Sequence, residues 1–218
     1  MKKMIKKYGH IFVMSYGLIY MPWFLYLEET VKRDYHVMHV ALDDKIPFNE
    51  YFVIPYLLWF VYIALAIGYF FFTSRQEYYQ LCTFLFTGMT ICLLMCTFFP
   101  NGTDLRPVVD PEKNFCSWLV SLIHRADTST NVFPSIHVYN SIGVHCSVMN
   151  SPALKEKRWL CRFSFVLMVL ICLSTVFLKQ HSVADLVGAM ILAYVMYPLV
   201  YGAKRAENRR TARWKTLG

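Results

Sequence analysis

Six apolar stretches of about twenty residues each take up about half of this chain, and about twenty such residues are what a helix needs to cross the hydrocarbon of a bilayer. They run from about His10 to Leu27, Tyr51 to Thr73, Leu81 to Phe99, Phe133 to Met149, Trp159 to Leu178 and Ser182 to Tyr201. Lipid offers backbone amides no partner, so a spanning segment closes its own hydrogen bonds as a helix or joins a closed barrel. The alternating pattern of a barrel strand is missing. The expected fold is therefore all-α: a single integral membrane domain over residues 1–218, built as a six-helix bundle. Apolar residues make up 56% of the chain and charged residues 17%. Soluble domains usually hold about 45–50% and about 25%. An ordinary soluble enzyme, a disordered chain and a disulfide-stapled secreted domain are excluded.

The formal charge of +8 would point to nucleic acid on a soluble protein. Here the basic residues lie between the apolar stretches and at the ends, where they set topology. With a cytoplasmic N-terminus, fifteen Lys and Arg fall on the cytoplasmic side: Lys2, Lys3, Lys6, Lys7, Arg75, Lys155, Lys157, Arg158, Arg162 and the six of the tail. Only seven fall outside, namely Lys32, Arg33, Lys45, Arg106, Lys113, Arg125 and Lys179. Both termini are thus expected in the cytoplasm, and no nucleic-acid partner is expected. Lys2-Lys3 and Lys6-Lys7 before an apolar run look like a signal peptide, but bulky Tyr20-Met21-Pro22-Trp23 offers no small-residue cleavage site. The first span reads as a retained anchor. From Ala203 the tail is a basic juxtamembrane segment.

Seven cysteines show no CxxC spacing, and nothing reads as a zinc site. Two outer loops, about Glu28 to Glu50 and Pro100 to Val132, are rich in Asp, Pro and Asn, and the second has a helical stretch around Phe115 to His124. Asn101-Gly102-Thr103 matches a glycosylation sequon.

Polar groups at membrane depth are costly and mark candidate function. Span four opens Phe133-Pro134-Ser135-Ile136-His137 and continues through Asn140, Ser141 and His145. Pro134 suits a helix start, and the first-turn amides of Ile136 and His137, with the Ser135 hydroxyl, would form an anion site. Span six opens His181-Ser182-Val183-Ala184-Asp185, whose i, i+4 spacing would place imidazole and carboxylate on one helical face. The carboxylate would fix the ring and its tautomer, leaving the other nitrogen as nucleophile or base. Each pair also has a purely structural reading, as a helix cap or a buried polar link. Arg106, just after span three, could grip a phosphate with its planar fork. Under the charge-derived orientation, Arg106, His137 and His181 all fall at the outer ends of their spans.

These residues resemble the membrane-bound type 2 phosphatidic acid phosphatase superfamily, whose motifs are Lys-x6-Arg-Pro, Pro-Ser-Gly-His and Ser-Arg-x5-His-x3-Asp. Arg106-Pro107 matches the end of the first. Pro134-Ser135-Ile136-His137 matches the second with Ile for Gly. Ser174-Thr175, then His181 and Asp185, match the third with Thr for Arg. The likeness covers about residues 50–201. It implies a six-helix core, no metal or other cofactor, and a lipid phosphate or phospholipid as substrate at the extracytoplasmic face, with a bacterial cell membrane favoured over a eukaryotic organelle. It implies His181 as the nucleophile forming a phosphohistidine, Asp185 as its orienting carboxylate and His137 as general acid. Arg106, Ser135, Ser174 and the Ile136 amide would bind the phosphoryl oxygens.

The first-motif lysine position is Phe99 and the third-motif arginine is Thr175. Two of three expected phosphate cations are missing. Lys179, two residues before His181, is the one basic residue of its turn and could replace the arginine. The alternatives are a phosphotransferase resembling sphingolipid synthases, acting on a singly charged phosphodiester, and a silent phospholipid-binding member.

Overall fold

The computed structural model describes the backbone of residues 9–32 and 34–217, with side chains up to residue 202. Lys2, Lys3, Lys6, Lys7 and Arg33, and the side chains of the basic tail, lie outside the described residues. Seven α-helices carry the described chain: α1 Gly17–Thr30, α2 Val53–Thr73, α3 Arg75–Phe98, α4 Phe115–Ala126, α5 Ile136–Asn150, α6 Arg158–Phe177 and α7 Val183–Leu217. A 3-10 run over Gly9–Tyr16 leads into α1, and short 3-10 turns lie at Asp43–Lys45 and Glu50–Phe52. Two-residue strands, β1 His36–Val37 and β2 Asn101–Gly102, pair in parallel and tie the α1–α2 loop to the α3–α4 loop.

Among the described residues five helices are long and apolar enough to cross a membrane: His10–Thr30, Glu50–Thr73, Arg75–Phe98, Arg158–Phe177 and Val183–Gly202. This is consistent with an integral membrane protein. The expected fourth span differs. It starts three residues later, at Ile136, and holds 15 residues, a length of about 22 Å against a hydrocarbon core of about 30 Å. Its polar residues explain the difference. Asn140, Ser141 and Ser147 are buried, so α5 is sheathed by protein on most sides and does not have to match the lipid by itself.

α5 is the hub. It packs on α2, α3, α6 and α7, while α1 packs on α3 at the periphery. The Ser135 amide donates to the Asp185 carbonyl (3.2 Å) at one end. At the other, Ser147 meets the Tyr201 hydroxyl (2.7 Å) and Asn150 Nδ2 donates to Tyr197 (3.1 Å). α5 and α7 therefore run parallel, and both begin at the end where α1, α3 and α6 finish.

Close backbone approach makes this possible. A Cβ on Gly88 would lie 2.0 Å from the Tyr139 ring. That ring stacks on Phe84 and donates its hydroxyl to the Phe84 carbonyl (2.8 Å). Gly188 likewise receives the Phe133 ring, with 2.5 Å left for a Cβ. Ala189 and Ala193 are buried, as small residues at a tight helix contact should be. Overpacking costs about 1–3 kcal/mol. Gly88→Ala should sit at the upper end and lower the melting temperature of the purified protein clearly. Gly68→Ala, with nothing within 4 Å, should leave it unchanged or raise it slightly; equal shifts would refute this packing account.

Asn101 is not available to carry a glycan. It is fully buried, its Oδ1 accepts from the Val132 and Phe133 amides (2.9 and 2.8 Å), and its Nδ2 donates to the Phe99 carbonyl (2.7 Å). The sequon match reflects a structural asparagine that aligns the approach to α5.

Candidate active site at the ends of α5, α6 and α7

The turn between α6 and α7 is built from two helix-terminus motifs back to back. α6 ends in a Schellman arrangement: the Gln180 amide donates to the Thr175 carbonyl (3.0 Å) and the Lys179 amide to the Val176 carbonyl (3.2 Å). Such an end needs a left-handed residue, and Lys179 supplies it with φ 57°. α7 then opens with a capping box. The Ser182 hydroxyl accepts from the Ala184 amide (3.2 Å), and the Asp185 carboxylate reaches back to the Ser182 amide (2.9 Å). The His181 amide donates to the Thr175 carbonyl (3.1 Å). The spacing from Thr175 to His181 to Asp185 is thus the length of one helix stop plus one helix start.

This corrects the geometry expected for His181 and Asp185. They do not share a helical face, because His181 lies before the first residue of α7. The capping box brings them together instead, with His181 Nδ1 3.4 Å from Asp185 Oδ2. That exceeds a normal hydrogen bond by a few tenths of an ångström. Asp185 is fully buried, and its Oδ1 has no partner.

The second stretch meets this pair directly. Besides the bond from its amide to Asp185, Ser135 is fully buried and its Oγ has no hydrogen-bond partner among the described residues. It does not cap α5 with its side chain. The first-turn amides of Ile136 and His137 have no acceptor inside their helix. His137 is sandwiched on α2, its ring 4.5 Å from that of Tyr56 and 4.3 Å from that of Trp59, and it presents an edge to His181 at 5.7 Å between ring centroids. His137, His181, Asp185 and Ser135 therefore form one cluster.

The remaining candidates are placed otherwise. Arg106 donates to the Asp127 carbonyl (2.7 Å), the Asp127 carboxylate (3.1 Å) and the Thr128 carbonyl (2.7 Å), leaving Nε buried and unpartnered. Burial pushes the Asp127 carboxyl up, against the opposing pull of Arg106 and, more weakly, of His181. Asp127 thus stands within electrostatic reach of both. Ser174 is fully buried and donates to the Ile171 carbonyl (2.6 Å). The left-handed backbone of Lys179 sends its ammonium to the Asp43 carbonyl (2.5 Å). Among the described residues no group of three or more His, Cys, Asp or Glu could hold a metal ion.

Asp43, in the loop between α1 and α2, is the residue that sequence reasoning missed. It is 1% exposed. Its carboxylate accepts from the Ser182 hydroxyl (2.6 Å) and the Val183 amide (2.8 Å) at the start of α7, and from its own loop at Val40 (2.8 Å). A carboxylate at a helix N-terminus is favoured by the helix dipole. Asp-Asp in a polar loop gave no sign of that partner. Next to it, His39 bridges the α1–α2 and α3–α4 loops, with Nε2 2.9 Å from Asp44 and Nδ1 3.1 Å from Asp104. Two carboxylate acceptors require both ring nitrogens to donate, so the imidazolium is favoured, and its pKa is raised chiefly by the Asp44 bond, with Asp104 adding to it. A pKa raised by folding gives stability that is complete below about pH 6.5 and lost as pH rises through the folded value. Hydrogen exchange of residues 38–45 should therefore quicken as pH rises above about 6.5, beyond its intrinsic pH dependence. His39→Gln should remove that extra dependence; an unaltered profile would exclude the clamp.

No family model matches the chain, and no curated protein and no solved structure matches it.

Proposed function

We propose that the protein is a six-span membrane enzyme that cleaves a lipid phosphate or phosphodiester through a phosphohistidine at His181, on the extracytoplasmic face. The observation that carries this reading is the meeting of two stretches more than forty residues apart. Ser135 hydrogen-bonds Asp185 through its backbone, and His137 lies edge-on to His181. A buried hydroxyl without a partner beside a buried carboxylate is costly if it only supports the fold. It is explained if phosphoryl oxygens occupy the space.

In the proposed reaction Nδ1–H of His181 donates to Asp185, leaving the Nε2 lone pair to attack phosphorus. The bond from phosphorus to the lipid oxygen breaks, and protonated His137 gives its proton to that oxygen. Asp185 stabilises the positive charge on the phosphorylated ring. Water or a lipid alcohol then attacks phosphorus, neutral His137 takes its proton, and His181 Nε2 leaves with its electron pair. Ser135 and the first-turn amides of α5 hold the equatorial oxygens, the positioning on which phosphoryl transfer depends.

One observation favours the transferase form. Arg106 is shared with Asp127, and the Lys179 ammonium is bonded to the Asp43 carbonyl. Little cationic charge is left for a doubly charged phosphomonoester, so a singly charged phosphodiester fits better. The test is to incubate purified protein with a panel of lipid phosphates and phospholipids, with and without diacylglycerol or ceramide. Free phosphate and new lipid product are followed together. Product that depends on the added lipid alcohol supports transfer, free phosphate or a released water-soluble phospho-head-group supports hydrolysis, and none of these from any substrate would overturn the enzyme reading.

A further inference from the structure

Gln180 precedes His181 in the turn between α6 and α7, and the backbone amides of both donate to the Thr175 carbonyl. Gln180 is 2% exposed. Its Nε2 donates to the Leu178 carbonyl (3.2 Å) and lies 3.0 Å from Nε2 of His124 on α4. Burial, and more weakly the Arg106 guanidinium, hold the His124 imidazole below its usual range, so its Nε2 is free to accept. Both amide hydrogens of Gln180 are then used, and turning the amide over would set Oε1 against the Leu178 carbonyl. Oε1 is left buried, with no hydrogen-bond partner among the described residues. It differs in kind from the orphaned hydroxyl of Ser135, because a carbonyl oxygen only accepts.

We infer that Gln180 belongs to the acceptor site, where its Oε1 accepts a hydrogen bond from the molecule that attacks the phosphohistidine. The chemistry of the orphan selects this occupant. Ionised phosphoryl oxygens and ester oxygens carry no hydrogen, so the group that satisfies Oε1 is a donor. Asp185, the other orphaned acceptor of the turn, lies on the Nδ1 side of His181 and not at the attacked nitrogen. In the second half of the proposed reaction the bond from phosphorus to His181 Nε2 breaks, and its electron pair returns to nitrogen. An oxygen of the attacking molecule bonds phosphorus and gives one hydrogen, as a proton, to His137. A second hydrogen is held by Gln180 Oε1 and is not transferred. In water it sits on the same oxygen, and in a glycol or a ceramide on a neighbouring hydroxyl or amide. Diacylglycerol and simple alcohols have none. The inference rests on the phosphohistidine reading and adds which acceptors the site takes: those with a second donor hydrogen.

The probe is methyl 4-nitrophenyl phosphate labelled in its phosphate, a singly charged diester whose organic groups bring no hydrogen-bond donor. Any effect of Gln180 on it reports the attacking molecule and not a head group. The purified full chain receives it in water with ethylene glycol or 2-methoxyethanol, which differ only by a methyl on the second oxygen. Wild type should form the glycol ester at least about tenfold faster than the methoxy ester. Gln180→Met, of similar length, should bring that ratio to within about twofold of unity. It should also raise the base-stable labelled enzyme at steady state at least about threefold, because attack slows while formation does not. Gln180→Glu keeps an acceptor oxygen and should restore a ratio of at least about fivefold. A wild-type ratio in Gln180→Met would overturn the acceptor role. So would loss of labelled enzyme and turnover together, which a badly folded turn would give, or an effect confined to phospholipids with hydroxyl or ammonium head groups. Wild type that forms no labelled intermediate would overturn the phosphohistidine reading and this inference with it.

Discussion

Replacing His181 by alanine is expected to lower turnover at least about 1000-fold, because it removes the atom on which the covalent intermediate forms. Fold should be kept. The His181 ring has no bond shorter than the 3.4 Å contact to Asp185, and its amide bond to Thr175 does not depend on the side chain. Asp185→Asn should cost less in turnover but more in stability, since Asp185 also closes the capping box on Ser182. The decisive readout is the intermediate. Quenching in alkaline detergent during turnover of a substrate labelled in its phosphate should trap base-stable, acid-labile label on wild type and none on His181→Ala. Turnover by His181→Ala within a few-fold of wild type would dismiss the phosphohistidine mechanism. His137→Ala should still accumulate labelled enzyme from an activated phenyl ester, whose leaving group needs little proton assistance.

Asp43→Ala should be the most damaging change outside the cluster. Three donors would lose a buried charged acceptor: the Ser182 hydroxyl and the Val183 and Val40 amides. Loss of a helix cap alone costs about 0.5–2 kcal/mol, and hydrogen bonds to a charged group are worth about 1.5–3 kcal/mol each. A net loss of about 3 kcal/mol is expected, seen as a clear fall in denaturation midpoint. Asp43 holds the start of α7, and with it Ser182 and the turn bearing His181. Turnover of the fraction that remains folded should fall at least about tenfold, since small misplacement of a reacting group is costly. Asp43→Asn keeps one oxygen acceptor and should recover part of both losses. If Asp43→Ala melts like wild type, the α1–α2 loop does not position the turn.

Lengths and apolar patterning settled the helices, because lipid leaves a backbone few ways to satisfy itself. Four of the five long helices begin within one residue of the expected spans, and α3 begins at Arg75, six residues before the expected Leu81. The short helix expected around Phe115 to His124 is α4, Phe115–Ala126. His137 and His181 could be paired from their place at the same ends of their spans. The short α5 escaped that logic, since a helix wrapped by other helices is freed from the length rule that governs its neighbours.

Side-chain commitments were decided only in three dimensions. Arg106 reads in sequence as a free fork, and Asp127 and Thr128, twenty-one and twenty-two residues on, engage it. Lys179 reads as a spare cation, but the stop of α6 demands a left-handed residue there and turns its stem to Asp43. Asp43 itself lies about 140 residues from the helix it caps. Local pattern carries what local physics fixes: helix, span, turn and cap. Which polar group satisfies which across such separations is set by the packing of the whole bundle around α5, where each buried donor and acceptor takes whatever partner the fold brings to it.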